Sequence, residues 1–190
     1  MVVRNGLGWV VLGGVAGLMT AGSASAASAC AASPPVLIAL SVEAGAVGGT
    51  PAARFEVSVH EDGCVAVHRP WFLRDAGTYE SRLGTDEQRT LLDLIDIAAL
   101  RSVDQSALDA ETESQQRAAN GVRYTTIDAD RRVLQWRDGD RLRTLTYVGE
   151  VDAAADRSGA VASATFVRAA RALQALAQRD GQRIDTGSAP

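Results

Sequence analysis

The sequence predicts a single α+β domain, in which an antiparallel sheet of six to seven strands, formed in two runs, is packed by two α-helices. Three observations support this fold class: an alternating apolar pattern at 54–68, a run rich in β-branched and aromatic residues at 122–148, and two apolar stripes at helical spacing. With 190 residues, of which 46% are hydrophobic, the chain is long enough for one domain with its own core.

The first segment is expected to be a secretory signal peptide covering residues 1–26. Arg4 precedes an apolar run at 7–19, which is shorter than the ~20 residues that a membrane helix needs. The tripeptide Ala-Ser-Ala at 24–26 then matches the A-x-A cleavage pattern. We therefore expect a soluble exported domain at 27–180, in the periplasm or outside the cell, with no transmembrane segment.

The first run of strands begins at 36–43, a short apolar stretch that is followed by a Gly- and Pro-containing loop at 44–53. Another strand is expected at 78–83. Trp71 and Phe72 precede that strand, and their size and hydrophobicity assign them to the core or to its edge.

Residues 54–68 predict a β-hairpin with a three-residue loop, Glu61-Asp62-Gly63. Directly opposite residues share a face of the sheet, so the apolar residues of the two strands must pair with one another. This register pairs four valines, Val59 with Val65 and Val57 with Val67.

The register separates the two histidines of the chain, His60 and His68, by about 13 Å, which is too far for one metal ion. No metal site is expected.

The two cysteines of the chain are Cys30 and Cys64. Export would place both in an oxidising compartment, so a Cys30–Cys64 disulfide is expected to join the mature N-terminus to the hairpin. The alternative is lipid attachment at Cys30, which would make the chain a lipid-anchored envelope protein. Residues 20–29 separate Cys30 from the apolar run, and this separation favours the disulfide.

Two helices are expected, one at 86–98 and one within 157–181. Thr85 and Gln88 form a capping box at the start of the first helix. Its predicted stripe consists of Leu91, Leu92, Leu94, Ile95 and Ala98. The stripe of the second helix consists of Phe166, Ala170, Leu173 and Ala177, and Gly181 ends that helix.

Three strands of the second run are expected at 122–128, 132–137 and 141–148, with Asp-containing turns between them. The preceding residues, 101–120, are polar and acidic and have little to bury, which predicts a long loop or a weak exposed helix. The last residues, 181–190, are expected to be a disordered tail.

Residues 54–104 resemble a family of uncharacterised exported bacterial domains. The resemblance rests on FEVSVHEDGCVAV at 55–67, Gly-Thr-Tyr at 77–79, and Leu83 with the helix start TDEQRTLLDLI. In that family a strand–Asp-Gly–strand hairpin precedes a Gly-containing strand and a helix opened by Ser or Thr and an acidic residue. The chain lacks the Cys-Phe-Gly-x-Cys-Pro opening of some members. Such domains have no assigned activity, so the resemblance implies no catalytic residue.

Charge and motifs argue against several functions. A formal net charge of −4 disfavours a nucleic-acid partner. The sequence has no G-x-S-x-G elbow, P-loop or dinucleotide motif, and the only serine near the histidines is Ser58, on the same strand as His60. We therefore expect neither an enzyme nor a cofactor.

An exported interaction or binding domain is the function that the sequence favours. Polar side chains expected on one face of the second run of strands are Arg123, Gln135, Arg137, Arg141 and Arg143. The arginines at 137, 141 and 143 are the predicted contact, because planar guanidinium groups suit the carboxylates or phosphates of an anionic envelope polymer or an unknown protein. The acidic segment 101–120, which includes Asp109, Glu111 and Glu113, is a second candidate surface. The alternative function is a secreted inhibitor of a hydrolase.

Overall fold

The computed structural model of the chain describes Cys30 and residues 34–45, 54–117, 129–149 and 160–184. Within these residues the chain forms an antiparallel seven-stranded sheet with helices packed against one face. The α+β class predicted from the sequence is therefore confirmed.

The strands follow the expected pattern in most places. Their bounds are β1 Val36–Glu43, β2 Arg54–His60, β3 Cys64–Arg69, β4 Gly77–Arg82, β5 Arg131–Asp138, β6 Arg141–Val148 and β7 Gln182–Ile184. Their order across the sheet is β6-β5-β1-β2-β3-β4-β7. The expected strand at 122–128 and the expected signal peptide at 1–26 lie outside the described residues. Strand β7 pairs with β4, so the predicted tail at 181–190 is wrong for residues 182–184.

The β2–β3 hairpin has the predicted register. Val59 lies opposite Val65 and Val57 lies opposite Val67. Gly63 closes the loop with φ at +80°, a conformation that favours glycine. Its backbone also lies close to the end of β4, because the N–H of Leu83 donates to the carbonyl of Gly63 at 2.9 Å.

Four helices are described instead of the two expected. They are α1 Thr85–Ile95, α2 Ile97–Ser102, α3 Gln105–Gln116 and α4 Val161–Leu176. Asp96 has φ at +56°, ends α1, and accepts from the N–H of Ala99 at 3.0 Å to cap α2. None of the helices in the described ranges is both long and apolar enough to cross a bilayer.

The cap of α1 differs from the predicted capping box by one residue. Gly84, and not Thr85, is the N-cap, and Glu87 accepts from its N–H at 2.9 Å. This hydrogen bond and a second one from Arg179 lower the pKa of Glu87. Gln88 donates instead to the carbonyl of Glu61 in the hairpin loop, at 3.1 Å.

Helix α3 occupies much of the segment expected to be a loop or a weak exposed helix. Asp104 caps it by accepting from the N–H of Ala107 at 2.7 Å, and this bond lowers the pKa of Asp104. The side chain of Leu108 is 0% exposed. The amide of Gln105 bonds both the N–H and the carbonyl of Thr146 in β6, each at 2.8 Å. The segment is therefore a mostly exposed helix, one of the two alternatives expected, and it is anchored by one buried leucine and by polar contacts.

Glu111 of α3 caps the start of α4. Its two carboxylate oxygens accept from the N–H groups of Ala162, at 3.0 Å, and Ser163, at 2.7 Å. Burial raises the pKa of Glu111, but the hydrogen bonds from these N–H groups outweigh it, and the net pKa lies below its ordinary value.

The core lies between the helices and one face of the sheet. Tyr147 stacks on Phe166 with ring centroids 5.4 Å apart.

All four residues of the stripe predicted for α4 are buried. The stripe predicted for the first helix is only partly correct, because Leu94 is 55% exposed and Ala98 is also exposed. Asp96 breaks the helix between them, so Ala98 lies on a separate helix and not on the face of α1.

The predicted disulfide between Cys30 and Cys64 is present. It ties Cys30 to the sheet face opposite the helices, since Cys64 alternates with the core residue Val65. Glu80 lies on the same face and accepts from the N–H of Cys30 at 2.8 Å.

Candidate functional site

The three arginines of the predicted binding surface do not share a face of the sheet. Arg143 lies opposite the core residue Trp136, whereas Arg137 lies opposite Leu142. Because side chains alternate along a strand, Arg141 and Arg143 lie on the helix-covered face and Arg137 on the other. The expectation of one arginine face is wrong, and the binding role of these residues stays a prediction.

Two of these arginines have local contacts. The guanidinium of Arg143 lies 5.7 Å from the ring centroid of Trp136, and its Nη1 is 3.9 Å from Asp138 Oδ2. Arg137 Nε lies 4.0 Å from Glu61 Oε1. Arg123, also assigned to this surface, lies outside the described residues.

The acidic side chains of α3 are engaged within the fold. Asp109 accepts from Gln105 at 2.7 Å, and Glu113 pairs with Arg117 at 2.6 Å. Glu111 caps α4. The charge of this segment therefore serves local contacts, which weakens the case for it as a recognition surface.

Both histidines contact neighbouring parts of the chain. His60 Nδ1 lies 2.7 Å from the carbonyl oxygen of Pro34, and His68 Nδ1 lies 3.2 Å from Thr78 Oγ1. Within the described ranges, no group of three or more His, Cys, Asp or Glu side chains is arranged to hold a metal ion.

A different surface stands out in the loop between β3 and β4. Trp71, Phe72 and Leu73 are consecutive and are 65%, 40% and 40% exposed. The two aromatic rings meet edge to face, with centroids 5.7 Å apart. The assignment of Trp71 and Phe72 to the core or its edge is wrong, and residues 71–73 form an exposed aromatic loop.

Short contacts fix the conformation of this loop. The N–H of Leu73 donates to the carbonyl of Pro70 at 3.0 Å, and the N–H of Ala76 donates to the carbonyl of Leu73 at 3.1 Å. At its base Arg69 forms an ion pair with Asp75. The same arginine donates to the carbonyl of Ala177 at 2.6 Å, and this bond ties the loop to the C-terminal end of α4.

Next to the aromatic loop lies a cavity of about 350 Å³. Its floor is a row of side chains on three neighbouring strands, because Val42 of β1 lies opposite both Phe55 of β2 and Arg132 of β5. The preceding row, with Leu40 at its centre, is buried beneath the helices. Helix α4 ends at Leu176, so the sheet continues past the helix and leaves this row accessible from the side of the aromatic loop.

The walls of the cavity are mostly apolar. Its lining residues are Val42, Ala44, Phe55, Pro70, Phe72, Leu73, Asp130, Arg132, Gln174, Ala177 and Gln178. Four of these carry a polar or charged side chain: Asp130 and Arg132 at the start of β5, and two glutamines near the end of α4. A mostly apolar hollow with a few polar groups is the usual form of a small-ligand site.

Asp130 and Arg132 pair with each other, and Arg132 also bonds to the backbone just after β6. Arg132 Nη2 donates to Asp130 Oδ2 at 3.0 Å, and Nη1 donates to the carbonyl of Gly149, just after β6, at 2.7 Å. The side chain of Arg132 is 11% exposed and that of Asp130 is 40% exposed. The carboxylate is therefore the more accessible member of the pair.

No protein-family model matches the chain, and no curated protein matches it. The resemblance of residues 54–104 to uncharacterised exported domains stays a prediction.

The sequence contains one signal that could have indicated this site. Trp71, Phe72 and Leu73 are consecutive between Pro70 and a polar Asp-containing stretch, so they have neither the strand period nor the helix period. Large apolar residues in a turn without periodicity have no regular face to bury. Hydrophobicity alone assigned them to the core.

Proposed function

We propose that the chain is an exported binding domain and that the cavity beside the aromatic loop is its ligand site. The observation that carries this proposal is that the exposed side chains of Phe72 and Leu73 line a cavity with mostly apolar walls, and that the more exposed Trp71 lies beside Phe72. Contiguous exposed apolar side chains on a folded domain are typical of an interaction site.

Exposed aromatic residues are a source of binding free energy. Complete burial of a side chain of this size contributes ~1.5–3 kcal/mol. Trp and Tyr are also among the residues most enriched at the energetic centres of interfaces. Trp71 and Phe72 can therefore supply much of the affinity for a partner that covers them.

The loop is ordered before any ligand binds. Arg69 fixes it to Asp75 and to the end of α4, and two backbone hydrogen bonds fix its turns. A preformed site loses less conformational entropy on binding than a site that must fold around its ligand. This supports ligand binding as the reason for the exposed loop.

A secreted inhibitor of a hydrolase remains the alternative. An inhibitor would insert the aromatic loop into the cleft of an enzyme, and it would need no hollow next to that loop. The cavity favours a binding domain, because Phe72 and Leu73 form part of its wall.

The proposal is tested by comparing what matched variants capture from an envelope extract. Immobilised wild-type protein is compared with a Trp71→Ala/Phe72→Ala variant and with Leu142→Ala, which removes a side chain that is 63% exposed on the other face of the sheet. Captured components are quantified by mass spectrometry. We expect a component that is lost with the aromatic variant and retained with Leu142→Ala.

A third variant, Arg137→Glu/Arg141→Glu/Arg143→Glu, tests the binding surface predicted from the sequence. Capture that is lost with the arginine variant, more strongly at low salt, but retained with the aromatic variant would place the ligand surface on β5 and β6 and contradict the cavity proposal. Circular dichroism of all variants checks that each is folded.

A further inference from the structure

We propose that the ligand of the cavity is a neutral glycan. In this arrangement the apolar face of a sugar ring lies against the Trp71–Phe72 pair, and the ring hydroxyl groups bond to Asp130 and Arg132. The inference rests on the proposed function of the cavity and adds the chemical class of its ligand.

The charge of the cavity favours a neutral ligand. Asp130 and Arg132 form an ion pair at 3.0 Å, so the polar end of the cavity carries no net charge. A cationic ligand that approached the carboxylate of Asp130 would be repelled by the adjacent guanidinium. An anionic ligand that approached the guanidinium of Arg132 would be repelled by the adjacent carboxylate. A hydroxyl group both donates and accepts, so it can bond to either member without an opposing charge.

The accessible polar atoms suit hydroxyl groups. Asp130 Oδ2 accepts from Arg132, while Oδ1 accepts no hydrogen bond from any residue that the structure describes. Gln174 and Gln178 line the same cavity, and each side-chain amide offers a donor and an acceptor. Together these groups provide several donors and acceptors at one end of an apolar hollow, which matches a ring with hydroxyl groups on its edge.

The aromatic pair suits the other surface of a sugar. A pyranose ring presents C–H groups on its faces, and these can pack against an aromatic ring while the hydroxyl groups point outward. The rings of Trp71 and Phe72 are nearly perpendicular, at 85°, so the exposed ring of Trp71 adds a second, differently oriented surface next to Phe72, which lines the cavity. The volume of about 350 Å³ lies at the small end of the range for ligand sites and suits a short oligosaccharide unit.

A peptide in extended form fits the cavity less well. Peptides that add a strand to a sheet need an edge strand with unpaired backbone groups. The strands that line the cavity are β1, β2 and β5, and the strand order places all three inside the sheet. A peptide therefore has no backbone template at this site, and peptide binding becomes an outcome that the experiment distinguishes.

The experiment uses tryptophan fluorescence as the readout. The chain has three tryptophans, Trp9, Trp71 and Trp136. The fluorescence of Trp71 is obtained by subtracting the signal of the Trp71→Phe variant from that of the wild type. Each protein is titrated with neutral tetrasaccharides of glucose and of N-acetylglucosamine in several linkages, with an oligogalacturonate as the anionic probe, and with tetralysine and tetra-alanine as peptide probes.

We expect at least one neutral tetrasaccharide to change the Trp71 signal saturably. Its dissociation constant should stay unchanged between about 0.05 M and about 0.5 M salt, because no net charge is neutralised. Binding to two further variants, Phe72→Ala and Asp130→Asn, is measured by calorimetry. Each substitution should raise the dissociation constant about tenfold. The Leu142→Ala control should leave it unchanged.

Two results would overturn the inference. One is that no neutral tetrasaccharide binds, and the other is that a charged probe or a peptide binds more tightly than every neutral sugar. The capture experiment separates this failure from that of the proposed function. If capture depends on Trp71 and Phe72 but neutral sugars neither bind nor compete, the binding function stands and the glycan assignment is wrong.

Discussion

The β2–β3 hairpin and helix α3 reach the core in different ways. The hairpin buries a valine at every second position, so its sequence alone defines its register. Helix α3 has one buried residue, Leu108, and is held by polar side chains that reach other elements. Gln105 bonds to β6 and Glu111 to α4. The hairpin is thus specified locally, whereas the helix depends on contacts that are distant in sequence.

The variant expected to have the largest effect on stability, and thus to test this difference, is Leu108→Ala in α3. We expect the free energy of unfolding to fall by about 3 kcal/mol, because a fully buried leucine would be replaced by a cavity. Urea denaturation provides the measurement. The matched control is Leu94→Ala in α1, where the side chain is 55% exposed and the loss should stay below about 1 kcal/mol. Equal losses would show that α3 is not anchored by Leu108.

The corresponding test of the hairpin is Gly63→Ala. A Cβ at this position would lie 2.8 Å from the carbonyl oxygen of Leu83, and φ is +80°. We expect a loss of about 2 kcal/mol, of which ~1 kcal/mol comes from the left-handed conformation. Gly139→Ala is the control, since it also has a positive φ, of +61°, but nothing lies within 4 Å of its Cβ. If the two variants lose the same stability in urea, the close approach to β4 contributes nothing.

The smallest expected effect is that of Glu111→Gln. Loss of one acceptor at the start of α4 should reduce the free energy of unfolding by about 1 kcal/mol at neutral pH. Glu113→Gln, on the same helix, is the control, because the carboxylate of Glu113 pairs with Arg117 at an exposed position and should contribute little.

This effect should also depend on pH. The pKa of Glu111 in the folded protein lies below its ordinary value of 4.5. The contribution of the carboxylate is therefore fully present above about pH 4.5 and is lost as the pH falls through the lower pKa of the folded state. The stability difference between wild type and Glu111→Gln should shrink with acidification. A difference that grows in acid would contradict the capping role.

The parts of the fold that the sequence predicted are those with local signals. Alternation placed the hairpin valines, and the two cysteines had only each other as partners for a disulfide. For helix α3 the sequence left a loop and an exposed helix as alternatives, because its single buried leucine leaves no stripe and because the partners of Gln105 and Glu111 lie tens of residues away along the chain.

The cavity of the candidate site could not be predicted for a related reason. The cavity exists because the row with Val42, Phe55 and Arg132 extends past the end of α4. That geometry depends on the relative lengths of a helix and three strands, which no single segment encodes. Trp71 and Phe72 were visible in the sequence, but their exposure depends on how Arg69 holds the loop.

The contact between Gln105 and Thr146 has a consequence for the behaviour of the protein at high concentration. Strand β6 is at one edge of the sheet, and an edge strand is a template on which another chain can add a strand and start aggregation. The amide of Gln105 occupies the N–H and the carbonyl of Thr146, near the C-terminal end of β6. At the opposite edge, β7 has only three residues. Among the strands that the structure describes, one edge is thus interrupted by a side chain and the other is short, so neither of these two strands offers a long uninterrupted template for filament growth.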